Sequence, residues 1–191
     1  MGARAIKSEH PGRGADTRAW GPPFVQGESA YFLSVNRNKE SVTIDFKQRQ
    51  GRALLDRLIA KADVVVENFR PGTLARQGLD YKTLSAAHPA LVYCSISGFG
   101  QTGPKRDRPG YDAVVQAEGG LMSVTGAADG PPYRLGVAIA DLVAGLLAAQ
   151  GVTLALFART RTGQGQHVDI SMLDGVAPLL SYQAGIFFAT G

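Results

Sequence analysis

The feature that most constrains this fold is an alternation, between residues 51 and 96, of segments at helical spacing with short β-branched runs. Gly51 to Ala62 sets Leu54, Leu55, Leu58 and Ile59 on one face of a helix, and Asp63-Val64-Val65-Val66-Glu67 follows at once as a buried strand. Pro71-Gly72 breaks the chain, and a short helix is expected around Thr73 to Gln77. A second helix near Tyr81 to Ala87 then leads to a strand over Leu91 to Ile96. Neighbouring strands joined through a helix run parallel, with right-handed crossovers. The expected class is α/β, a Rossmann-like, doubly wound and mostly parallel sheet.

The flanks are read the same way. Ala3 to Lys7 is a short strand before the turn His10-Pro11-Gly12-Arg13-Gly14, and the prolines of Trp20-Gly21-Pro22-Pro23-Phe24 impose an ordered loop. Tyr31 to Val35 and Ser41 to Asp45 are candidate strands around Asn36-Arg37-Asn38-Lys39. From Asp141 to about Arg161 nearly every face is apolar, so a helix buried on all sides is expected. A turn over Thr162 to Gln166, a strand over His167 to Ser171 and helix from Leu173 to Phe188 complete the reading. A chain of 191 residues fits one domain.

Composition narrows the function. A net charge of +4 and a pI near 9.4 favour an anionic partner. The basic residues are interleaved with acids, as in Lys105-Arg106-Asp107-Arg108, without an aromatic-rich binding motif, which argues against nucleic acid and for a charged small molecule. Cys94 is the single cysteine, so an internal disulfide is excluded and a reducing, cytoplasmic setting is expected. His10, His88 and His167 lack metal-ligand spacing, and no metal is expected. Neither a secretory signal nor an apolar run of about 18 residues is present, so no membrane partner is expected.

Gly98-Phe99-Gly100-Gln101-Thr102-Gly103 follows a predicted strand and matches the dinucleotide fingerprint letter for letter. That fingerprint works only where a helix opens at its third glycine, whereas Pro104, Lys105, Arg106 and Pro109 follow here. Asp141 stands where a Gly- and Pro-rich loop gives way to the long helix: it is either an N-cap or a carboxylate held ionised by the helix end, ready to act as a nucleophile. Asn68 and Phe69 lie just past a parallel strand, where open α/β sheets bind ligands, and a plain turn fits the spacing equally well. Tyr111 after Pro109-Gly110 reads as packing, and Lys47, Arg70 and Arg76 are either solvated or phosphate partners.

Several segments together are more specific. Trp20 to Phe24, Ser34-Val35-Asn36-Arg37-Asn38-Lys39, Val66-Glu67-Asn68-Phe69-Arg70-Pro71-Gly72, Ser97 to Pro104 and Arg161 to Gln166 resemble the family III (CaiB/BaiF) CoA-transferases, in that family's order. The resemblance runs from about Ile6 onward and implies part of the family's large domain, over residues 1–191, with the first strand and helix and the C-terminal small domain lying outside the chain. It implies coenzyme A as acyl carrier and substrate, an acyl-CoA and a small carboxylic acid as partners, and an interlocked homodimer.

By that resemblance Asp141, in Gly136-Val137-Ala138-Ile139-Ala140-Asp141, matches the catalytic aspartate of the formyl-CoA transferase type. Asn68, Phe69, Arg76 and Tyr111 match positions lining the CoA site, with Lys47 and Ile44 beside its nucleotide end. His10 matches a CoA-contacting position often filled by arginine. Asp169 and Asp174 do not match the nucleophile and are kept as structural. The implied chemistry is attack of Asp141 on a thioester carbonyl, with glycine-rich backbone such as Glu118-Gly119-Gly120 supplying oxyanion donors. The succinate and glutarate transferases fit the quoted segments best. An α-methylacyl-CoA racemase is the alternative, although racemases place a histidine where this chain has Tyr111, and a neutral tyrosine is a poor proton shuttle. A non-catalytic CoA-binding fragment is the third reading.

Overall fold

Residues 2–191 are described by the structure, a computed structural model, in which the chain divides into the units Met1–Lys61 and Ala62–Gly191. In the first unit the elements run β1 (Ala5–Glu9), β2 (Phe24–Val25), β3 (Glu28–Ser29), α1 (Ala30–Val35), β4 (Lys39–Thr43) and α2 (Arg49–Ile59). β1 and β4 pair in parallel from Ala5 opposite Lys39 to Glu9 opposite Thr43, and the Ile44 N–H extends the ladder onto the Glu9 carbonyl at 2.9 Å. β2 and β3 form a minimal antiparallel pair.

Tyr31–Val35 is helical, not the expected strand. Ser29 caps α1, its Oγ accepting the Phe32 N–H at 3.1 Å, and Asn36 donates from Nδ2 to the Phe32 carbonyl at 2.9 Å. These two polar ends outweigh the β propensity of a run in which Phe32 alone is buried. Beneath α1, the buried Glu9 carboxylate is fully partnered: it accepts from Arg18 Nε at 2.8 Å and Nη2 at 3.0 Å, from Ser41 Oγ at 2.8 Å and from the Ala15 N–H at 2.8 Å. The Arg18 guanidinium also lies 4.0 Å from the centre of the Phe32 ring.

The second unit contains β5 (Val64–Glu67), α3 (Tyr81–Ala87), β6 (Val92–Ser97), α4 (Asp112–Glu118), α5 (Ile139–Thr162), β7 (His167–Ser171), α6 (Met172–Val176) and α7 (Ser181–Thr190). Its sheet is parallel throughout, in the order β5-β6-β7, as the alternation of helix and strand requires. Val92 to Ser95 of the central strand are buried. Glu67 pairs with Ser95, and Ser97 with Ser171, so the carboxyl ends of all three strands share one edge. Leu173–Phe188 is not one helix: after α6 a turn containing Pro178 leads to Ser181, whose φ of +37° separates the two helical stretches.

α5 packs on β6, β7, α4 and α6, but it is not buried on every side as its composition suggested. Its inner seam is Ala140, Ala144, Ala148 and Ala155, whereas Leu142, Leu146, Leu154 and Phe157 are exposed. Small residues four and seven positions apart on one face let the helix axis come close to its neighbours, which leaves the larger side chains outside. The helix is long and apolar enough, by length and composition, to cross a membrane, contrary to the sequence expectation, and a core helix of a soluble fold meets the same criterion. Ala140 and Ala144 join Val115, Leu121, Met172 and Val176 in the core between α4, α5 and α6.

Candidate active site

The carboxyl edge of the β5-β6-β7 sheet gathers several of the sequence-predicted residues. Asn68 and Phe69 follow β5 directly and are exposed, with the Phe69 N–H held by Glu67 Oε2 at 2.8 Å. The turn that follows is closed by Thr73 N–H on the Arg70 carbonyl at 3.0 Å, and Gly72 adopts a φ of +80° that favours glycine there. Arg76 is exposed one helical turn on, its guanidinium 3.4 Å from Thr73 Oγ1.

Past β6, Gly98 and Gly110 meet backbone to backbone, since a Cβ built on Gly98 would lie 2.5 Å from the Gly110 Cα. This contact returns the excursion through residues 99–109 to the sheet edge and delivers Tyr111 there, 74% exposed and in extended conformation at the start of α4. Two further ties hold the loop. Asp169 accepts the Gln101 N–H, at 3.0 Å from Oδ2, and Glu118 pairs with Lys105 and Arg108 at 2.5 Å each. No helix opens at Gly103, and α4 begins only at Asp112, so the letter-perfect dinucleotide fingerprint is an irregular loop.

Asp112 links this edge to α5. Its Oδ1 accepts the Ala140 N–H at 2.9 Å, in the first turn of α5, and its Oδ2 accepts Gln116 Nε2 at 2.7 Å. Gln116 is fully buried, takes the Leu135 N–H on Oε1 at 2.9 Å and lies 3.3 Å from the Val137 carbonyl through Nε2. The loop entering α5 is thereby fixed to α4. Neither Asp112 nor Gln116 was singled out from the sequence; the Asp-x-x-x-Gln spacing, which places both on one helical face, is the signal that could have found them.

Asp141 is the third residue of α5, and Ala138, not Asp141, occupies the cap position. Loss of water against the neighbouring protein, and then the charge of Asp112, push the Asp141 carboxyl above the usual range, opposite in direction to the pull of a helix N-terminus. The donors near it are spent elsewhere, Ala140 N–H on Asp112, Ile139 N–H on the Val137 carbonyl at 2.8 Å and Leu142 N–H on the Ala138 carbonyl at 3.0 Å. Asp141 remains solvent-accessible.

The proposed oxyanion donors at Gly119 and Gly120 are not free. Their N–H groups bond to the Val115 carbonyl at 2.8 Å and the Ala117 carbonyl at 3.2 Å, and a Cβ on Gly119 would strike Val176 Cγ1 at 2.6 Å. These glycines serve close packing of α4 on α6. Three other sequence-predicted residues lie in the first unit: His10 is exposed, Ile44 is buried at the end of the β1–β4 ladder, and Lys47 is exposed with its N–H on Asp45 Oδ1 at 3.0 Å. Asp174 lies in the first turn of α6, its N–H donating to Ser171 Oγ at 3.1 Å. Among the described residues no cluster of His, Cys, Asp or Glu has the makings of a metal site.

The sequence profile of CoA-transferase family III matches residues 1–191. The chain belongs to that family. A succinate–glutarate CoA-transferase of Agrobacterium fabrum is 47% identical over 197 residues, covering 100% of this chain and 49% of the relative. An acetyl-CoA:oxalate CoA-transferase of Acetobacter aceti is 47% identical over 192 residues, with the same coverage. The crystal structure of a CaiB/BaiF family protein from Brucella suis superposes with a TM-score of 0.95 at 49% identity, over 100% of this chain and 51% of that one. This family III chain thus spans about half the length of the relatives it matches.

Proposed function

We propose that the protein transfers coenzyme A from an acyl-CoA, succinyl-CoA or a similar dicarboxylic thioester, to a small carboxylic acid, with Asp141 as nucleophile. The observation that carries this reading is an accessible carboxylate of raised proton affinity, placed by the Asp112 contact at the carboxyl edge of a parallel sheet in a family III chain. The dicarboxylates in the names of the Agrobacterium and Acetobacter relatives support the substrate class.

The steps balance as follows. The Asp141 oxygen adds to the thioester carbonyl, the C–S bond breaks and CoA leaves as thiolate, giving a mixed acyl-aspartyl anhydride. The acceptor carboxylate attacks the Asp141 carbonyl of that anhydride and expels the donor acid, leaving the acceptor's acyl group on Asp141. The CoA thiolate then attacks the acceptor's carbonyl, forms the new thioester and releases the Asp141 carboxylate. Asn68, Phe69, Arg76 and Tyr111, all of the second unit, are assigned to the CoA. A cytoplasmic homodimer completes the proposal, supported by the single buried Cys94 and by the exposed apolar side chains of α5 and α7.

Hydroxylamine added during turnover of the intact protein tests the reading. The expected product is a hydroxamate on Asp141, found by peptide mass spectrometry and absent from Asp141→Asn. Full transfer by Asp141→Asn, or a hydroxamate on another residue, overturns it.

A further inference from the structure

Asp112 takes no part in the bond changes above, yet both of its oxygens are committed, one to the first turn of the nucleophile helix and one to its own helix α4. Oδ1 receives the N–H of Ala140, the residue before Asp141, and Oδ2 receives Gln116 Nε2. Gln116 in turn holds Leu135 N–H and the Val137 carbonyl, so the pair fastens the segment 135–140 to α4 at both ends.

The donors and acceptors of this network fit in one arrangement. If Gln116 turned over, its NH2 would face the Leu135 N–H and its oxygen would face Asp112 and the Val137 carbonyl. If Asp112 were replaced by an amide, its NH2 would face that of Gln116. A carboxylate at 112 is the group that accepts on both sides. The surroundings of the two carboxylates are therefore opposite: Asp112 holds the donors, whereas the N–H groups flanking Asp141 are spent on other acceptors and Asp141 carries the field of Asp112.

We propose that Asp112 is a positioning residue for acyl transfer, fixing through the Ala140 N–H where α5 begins and hence where Asp141 points. The proposal rests on the reading of Asp141 as nucleophile. The negative charge of Asp112 acts in the same direction on reactivity, because a carboxylate that holds a proton more tightly is also the stronger nucleophile toward an acyl carbon.

The test uses the intact protein with succinyl-CoA and glutarate as probes. In Asp112→Asn, kcat is expected to fall about 100-fold, the size of effect that a misplacement of about 1 Å produces, while KM for succinyl-CoA changes by less than about threefold. The double variant Asp112→Asn with Gln116→Glu reverses the bond between the two side chains: the new amide keeps Ala140 N–H and donates to the new carboxylate, which keeps Leu135 N–H and loses only the 3.3 Å bond to the Val137 carbonyl. It is expected to recover at least tenfold of the lost kcat. Carbon-13 titration of the Asp141 carboxyl supplies a readout independent of turnover, and its midpoint should move down in Asp112→Asn.

Unchanged kcat in a folded Asp112→Asn, with Asp141→Asn inactive, removes the positioning role and leaves the nucleophile standing. Full transfer by Asp141→Asn removes the nucleophile and the positioning role with it. If Asp112→Asn does not fold, the double variant decides: folded with recovered kcat it supports the role, and folded without transfer it refutes it.

Discussion

The contact between Gly98 and Gly110 yields the sharpest mutational expectation. An alanine at 98 would bring its Cβ to 2.5 Å from the Gly110 Cα and 2.9 Å from the Gly110 nitrogen. Ordinary carbon contacts lie at about 3.5–4.0 Å, so the two backbones must part by about 1 Å. Both partners are main chain, so no flexible side chain can yield instead. Overpacking of this kind costs about 1–3 kcal/mol, and because Tyr111 and Asp112 follow Gly110 directly, the shift is passed to the end of α4. A displacement of about 1 Å at a reacting constellation costs about 100-fold in rate. Urea unfolding and succinyl-CoA:glutarate transfer, measured on the intact Gly98→Ala protein, should therefore both fall. Gly145→Ala is the control, since its Cβ meets nothing within 4 Å and lies inside α5, and it should gain about 0.5–1 kcal/mol. A Gly98→Ala protein equal to its parent in both stability and rate would refute the reasoning.

Two further expectations follow from buried polar groups. Glu9 is drawn down from 4.5 to about 2, first by its hydrogen bonds from Arg18 and, against burial, by Ser41 and the Ala15 N–H. Its folded value is depressed, so its contribution of about 3 kcal/mol is fully present above pH 4.5 or so and is lost as pH falls toward 2. The stability gap between parent and Glu9→Gln should narrow by about that amount between pH 6 and pH 2, and a gap independent of pH would exclude the mechanism. Gln116→Leu should lower stability by about 3 kcal/mol or more, because it strands Asp112 Oδ2, Leu135 N–H and the Val137 carbonyl at about 1–3 kcal/mol each. Equal urea midpoints for variant and parent would show that water replaces Gln116 without loss.

What the sequence made legible was whatever depends on periodicity and on local punctuation. The β-branched runs at 64–67 and 92–97 are parallel strands because helices separate them, and Gly163, at a φ of +69°, ends α5 where the Thr-Gly-Gln-Gly turn was read. The reading failed where tertiary partners decide. Hydrophobicity alone buries the leucines of α5, whereas close approach buries its alanines. The strand propensity of Tyr31 to Val35 gave way to a serine cap. α4 was missed because its seven residues carry too short a pattern, and with it went Asp112 and Gln116, whose roles depend on Leu135 and Ala140, about 20 to 30 positions away in the chain. The upward shift of Asp141 was not legible for the same reason: helix position is local, but the burial that raises its carboxyl, and the Asp112 charge that adds to it, come from the tertiary fold.

The alanine seam of α5 has a thermal counterpart. Leu142, Leu146, Leu154 and Phe157 on its outer side, with Ile186, Phe187 and Phe188 on α7, present apolar side chains to solvent. Any event that covers this surface carries a negative heat-capacity change, so near room temperature it strengthens as the solution warms and weakens in the cold. Sulfate should favour it and urea oppose it, which makes the protein's behaviour during purification as sensitive to temperature and salt as its chemistry is to the placement of one carboxylate.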